Sequence, residues 1–293
     1  MKLLEIRFQS TLKGEREEDF RNDRARLPDS AFAIVQKPDV EPKLDIVKKE
    51  VWNSIVSFPD DVSLTTSDYY GTLLGTVHEL WGSWIESVGA EQDPLSYGML
   101  DAVDELQGAI FNLLNGFYRI SADCLRSALE KVVHGLDFKL AGPQVWREAQ
   151  TASIQFGRSC DALMGNQAAK GMGEYLASKG VTSVFDQKLP EHAPDGGWAR
   201  HLHSRLSDFA HGRSEHSAAA MWEGSNGPIF VPKSVMKIFL LYLETLALMF
   251  VTVKLGKPSF PLPANARLLF HSGVHPSKVS TYCYQYLFGG VPS

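Results

Sequence analysis

The sequence predicts an all-α fold, and three observations carry that expectation. From about Ser96 to Lys139, apolar residues such as Leu106, Ile110, Leu113, Leu125, Leu129, Val132 and Leu136 recur mostly at three- and four-residue steps. That is the spacing of one broad helical face. A second run, "IFLLYLETLALMFVTV" from Ile238, is apolar all round for 16 residues and contains one charge, Glu244. A membrane span usually needs about 20 residues, so this run reads as a buried core helix. The third observation is Leu202, Leu206 and Phe209, one apolar stripe on a helix expected from Trp198 to Gly212.

The remaining elements follow in chain order. Residues 1–65 hold the mixed-charge run "GEREEDFRNDRAR" and the proline-punctuated "KPDVEPK", and read as an irregular, solvated N-terminal arm. An amphipathic helix is expected next, with caps at Thr65 to Ser67 and a stop at Gly89. The long helix of residues 96–139 follows, then two shorter ones within 142–165 and 166–180. "LPEHAPDGG" is a loop. After the Trp198 helix, "AAMWEGSNGPIFVP" suits a small hairpin or tight loop, with a sharp turn at Asn226-Gly227-Pro228. A helix from Lys233 to Lys254 comes next. The domain is thus expected over residues 66–255, and residues 256–293 as a proline-rich, irregular tail with one last turn near "KVSTYCYQYLF".

Composition narrows the function. A net charge of -5 supplies no global basic field, so contact with nucleic acid would have to come from a local patch. Three cysteines far apart argue against a disulfide framework and suit a reducing cytosol. The N-terminus is too short and too quickly charged for a signal peptide, so the expected location is cytoplasmic. No phosphate-binding loop, dinucleotide fingerprint, HExxH or GxSxG motif occurs. His201, His203, His211 and His216 cluster with Asp208, yet no two of these histidines stand three or four apart, so no metal ligand set and no cofactor are expected.

What remains is Arg205 with His211, an R-x5-H arrangement. Metal-independent RNA cleavage needs a proton shuttle near neutral pH and a fixed cation on the phosphate, and His and Arg supply those. With 13 Arg and 9 His, such a spacing arises by chance about once in this chain, so its surroundings must carry the argument. On the long helix, Asn112, Asn115, Arg119, Asp123, Arg126, Glu130 and His134 fall on one polar stripe opposite the apolar face. Arg200, Ser204, Ser207 and His211 share a narrow face of the Trp198 helix. Two such faces meeting would form a histidine-bearing groove. They would equally form a structural polar network that ties helices together.

The stretches "NLLNGFYRISADCLRSALE", "RLSDFAHGR" and "WEGSNGPIF", followed by a long apolar helix, resemble HEPN-like proteins of bacteria over about residues 95–255. The resemblance implies an up-and-down helical bundle with extra helices, a homodimer, and a place in toxin, abortive-infection or other antiphage systems beside a partner protein. Active members are metal-independent ribonucleases. It implies that Arg205 holds the phosphate and His211 transfers a proton as the RNA 2'-hydroxyl attacks. Arg126, Glu130, Arg119, Ser207, Asp208 and Asn226 would then support or bind substrate. A non-catalytic module that binds a partner protein or nucleotide is the other expectation, because many HEPN-like relatives lack a working motif.

Overall fold

A computed structural model of the chain describes residues 58–89, 91–142, 155–186, 197–210, 229–271 and 278–289. Every regular element among them is helical. Most of the N-terminal arm and the turn at Asn226 lie outside these residues, and so does His211.

The first helix, α1 (Phe58–Ser87), starts earlier than expected. Pro59, Asp60 and Asp61 occupy its first turn, where the N–H that proline lacks would have no intrahelical partner and acids complement the helix dipole. Thr65 and Thr66 therefore do not cap it. Their hydroxyls donate to the carbonyls of Asp61 and Val62, one turn back inside the helix. The helix kinks at Tyr70, whose φ and ψ are -128° and 20°.

The long helix expected from Ser96 to Lys139 is two antiparallel helices, α2 (Pro94–Leu114) and α3 (Tyr118–Ala141). Asp93 caps α2 by accepting from the Ser96 amide at 2.9 Å, and Pro94 takes the first helical position. At the far end, Asn112 and Asn115 donate their side-chain amides to the carbonyls of Gly108 and Phe111. Gly116 then enters the left-handed region at φ 78° and reverses the chain. The apolar period runs straight through this break because both helices turn the same face to one core. Asn112 and Asn115 accordingly belong to a different helix from the rest of the stripe.

The two helices pack with little between their backbones. Ser121 donates to the Ala109 carbonyl near the turn. At the other end, a methyl group on Gly98 would stand 2.4 Å from the Lys131 carbonyl oxygen, and one on Gly135 would stand 2.9 Å from that of Pro94.

Helices α4 (Phe156–Met164), α5 (Gln167–Ser178) and α6 (Trp198–Ala210) follow. They lead to α7 (Pro232–Gly256), whose residues from Leu241 to Val253 are all buried. By length and composition α7 could cross a membrane, but 89% of that stretch is covered by the rest of the fold. It packs against α3 most extensively, and also on α2 and α6.

The tail is not loose. A 3-10 helix (Ala264–Phe270) and α8 (Val279–Phe288) close over α7 and α5. Leu269, Phe270 and Cys283 have no exposed surface. The Phe270 ring lies 5.2 Å from Tyr284 and 5.9 Å from Phe288. Prolines in the segment before the 3-10 helix shape an extended path without preventing its aromatic anchors from reaching the core.

Candidate functional site

The α3 polar face meets α4 and α6 along a seam. Three groups converge near its centre. Glu130 Oε1 lies 2.7 Å from His203 Nε2 and 3.7 Å from Arg126 Nε. A second arm of Arg126 reaches Asp123 at 2.8 Å. Phe156 of α4 lies flat against the His203 ring, with centroids 4.2 Å apart and planes 7° from parallel. Its other neighbour is His134, which meets it edge-on at 6.3 Å. Beyond that, the buried Ser159 hydroxyl donates to Asp137 Oδ2 at 2.7 Å and lies 2.8 Å from His134 Nδ1. With the hydroxyl proton pointed at Asp137, the His134 contact requires the Nδ1–H tautomer.

Electrostatics follow from this crowding. Burial opposes the charge on Glu130. The His203 hydrogen bond, with the fields of His203, Arg126 and His134, outweighs burial and holds the carboxyl below its ordinary range. His134 is pushed the other way by burial. Glu130 and Asp137 favour its cationic form but do not offset the loss of solvent, so its pKa falls below 6.5.

Both shifts make acid destabilising. As pH falls below 6.5 the unfolded chain protonates His134 while the folded one resists, and below about 4.5 the same holds for Glu130. Melting temperature followed by circular dichroism should drop between pH 7 and 5. In His134→Gln that drop should shrink, and an unchanged slope would show that His134 does not contribute to it.

The other expected site residues divide. Arg205 turns inward to α7, where its guanidinium pairs with Glu244. Glu244 is 3% exposed and also accepts from Trp198 Nε1 at 3.0 Å. Arg119 grips the last described carbonyl of α6, Ala210, with Nε at 3.1 Å and Nη2 at 3.0 Å. A cation at this end of the helix complements its dipole. Ser207 and Asp208 are half-buried on α6 between these two anchors.

Arg200 does not join the groove. It donates to the carbonyls of Gly157 and Phe185 and pairs with Asp161, stapling α6 to α4. The structure thus brings Arg126 and Glu130 together as expected, with His203 as the histidine they meet. Arg205 belongs to a separate, deeper cluster.

Two residues that matter were not singled out as site candidates. His203 carried only a compositional signal. Glu244 carried a stronger one, since a lone carboxylate inside an apolar run requires a buried partner. Among the described residues, no group of three or more His, Cys, Asp or Glu side chains is arranged to hold a metal ion.

No known family, characterised protein or solved structure matches the chain.

Proposed function

We propose that the chain is a HEPN-like helical module that acts by binding a partner protein or nucleotide, with the seam between α3, α4 and α6 locking its helices in register. One observation carries this reading. The arginine of the R-x5-H arrangement pairs with a carboxylate buried in the bundle, while its own side chain stays 44% exposed. A guanidinium so neutralised is a poor phosphate ligand and a good structural tie. The resemblance around "RLSDFAHGR" supports the family, the bundle topology, a homodimer and a cytoplasmic role in bacterial antiphage defence.

A second reading, metal-independent cleavage of RNA, is favoured by one specific arrangement. Arg126, Glu130 and His203 set a cation, a carboxylate and an imidazole side by side, with side chains 25%, 34% and 23% exposed. Arg126 would hold a phosphate and the Glu130–His203 pair would take the 2'-hydroxyl proton as the 2'-oxygen attacks phosphorus. The P–O5' bond breaks, and the 5'-oxygen leaves with a proton from solvent as the 2',3'-cyclic phosphate forms.

RNA incubated with the purified chain in EDTA distinguishes the two. The module reading expects no cleavage by the wild type or by His203→Ala, Arg205→Ala and His211→Ala. Cleavage that leaves cyclic-phosphate ends and disappears in a folded His203→Ala or His211→Ala variant would replace the module with the ribonuclease. Loss in His203→Ala alone would assign the chemistry to the Arg126–Glu130–His203 group.

A further inference from the structure

A cleft of about 420 Å³ lies where the end of α1, with Gly89 and Glu91 beyond it, faces the segment after α7. That volume is within the range of small-ligand sites. Glu86, Gly89 and Glu91 line one side. Lys257, Phe260 and Leu262 line the other.

Lys257 is the unusual member. Its side chain is only 10% exposed, and a lysine so enclosed needs an anion. Its ammonium donates to Ser96 Oγ at 2.9 Å, a neutral partner, and pairs with Glu91 Oε2 at 2.9 Å. Asp93 lies nearby, but that carboxylate already caps α2 and pairs with Lys139 at 2.9 Å. Glu91 is therefore the anion that Lys257 itself contacts, and it stands 62% exposed. Position 89 is a glycine whose missing Cβ would have stood 3.6 Å from the ammonium. Gly89 itself therefore puts no side chain against Nζ.

We infer that this cleft binds a small organic monocarboxylate with an apolar body, and that Glu91 occupies the carboxylate position when no ligand is present. Exchange is cheap, because an ion pair with one exposed partner contributes little. The ligand gains what Glu91 lacks, apolar surface covered by Pro261, Leu262 and Pro263, with the largely buried Phe260 beneath. A phosphate or dicarboxylate is disfavoured, since Glu86, Glu91 and Asp93 already crowd the two lysines with negative charge. The inference is independent of how the α3–α6 seam is read.

Isothermal titration of the full chain with octanoate tests it, with octylamine and 1-octanol as tail-matched controls. Octanoate should bind saturably, and both controls at least tenfold more weakly. Lys257→Met should reduce octanoate affinity at least tenfold. Glu91→Gln removes the internal competitor and should tighten binding about two- to fivefold. This last variant changes an exposed side chain, so it decides the matter even where Lys257→Met fails to fold. Absent saturation, octylamine or octanol binding as tightly as octanoate, or weakened binding in Glu91→Gln would each overturn the inference.

Discussion

Gly98→Ala should destabilise the protein by about 3 kcal/mol, while Gly75→Ala, the same change on a neighbouring helix, should stabilise it by about 0.5 to 1 kcal/mol. Both positions are helical, and alanine is the better helix former at each. Their surroundings set the sign. Nothing lies within 4 Å of where the Gly75 methyl would go. The Gly98 methyl would meet the Lys131 carbonyl oxygen at 2.4 Å, with that carbonyl carbon at 3.1 Å. Backbone cannot step aside as a flexible side chain can, so α2 and α3 must separate and loosen the core they share. For a chain of this size the melting temperature should fall about 6 to 12 °C. Gly135→Ala, at 2.9 Å from the Pro94 carbonyl, should follow with a smaller loss. A Gly98→Ala protein as stable as wild type would mean that the helices are not this close.

The second large effect is expected at Glu244. Replacing it with alanine removes the carboxylate that accepts from the Trp198 indole N–H and pairs with Arg205, and opens a void in α7's packing. A lost buried hydrogen bond together with the void costs about 2 to 4 kcal/mol. Glu244→Gln keeps an acceptor for Trp198 and loses only the charge, so about 1 to 2 kcal/mol is expected. Arg205→Ala leaves the buried Glu244 carboxylate without its counter-charge and should cost an amount similar to Glu244→Ala. The arginine itself is 44% exposed and solvent screens part of the pairing, so the coupling in a double-mutant cycle with Glu244 should fall short of that cost. Urea denaturation reads all three. If Glu244→Ala and Arg205→Ala both leave the midpoint where it was, Arg205 is not a structural tie and returns to contention as a phosphate ligand.

Helix content was legible where a single period dominates. The unbroken apolar run of α7 and the Leu202–Leu206–Phe209 stripe of α6 announce themselves, because burial on all sides or on one face leaves a direct mark in composition. Periodicity fails where a short turn joins two helices that face one core, as at Asn115 to Phe117, since the apolar spacing hardly changes across the reversal. The tail misleads for the opposite reason. Its prolines suggest irregularity, whereas the anchors that bind it, Leu269, Phe270, Cys283 and Tyr284, are spread over two short helices too brief to show a period.

The candidate site was half legible. Arg126 and Glu130 lie one turn apart on α3, and helical geometry alone pairs them. Which histidine they face depends on the rotation of α6 against α3, a tertiary quantity no local pattern encodes. Among the described residues, His203 is the outcome.

The burial of α7 also implies an order of assembly. Its main partner α3, with α2 and α6, precedes it, and the 3-10 helix and α8 follow. Most of its receptacle therefore leaves the ribosome before the most apolar helix emerges, and the tail closes over it last. The Asn115–Gly116 reversal makes the α2–α3 hairpin the most local of the contacts, and local contacts form fastest. A fragment beginning after α6 would meet the opposite situation. It would offer 25 residues of apolar helix with no groove to enter, a natural client for chaperones or a bilayer.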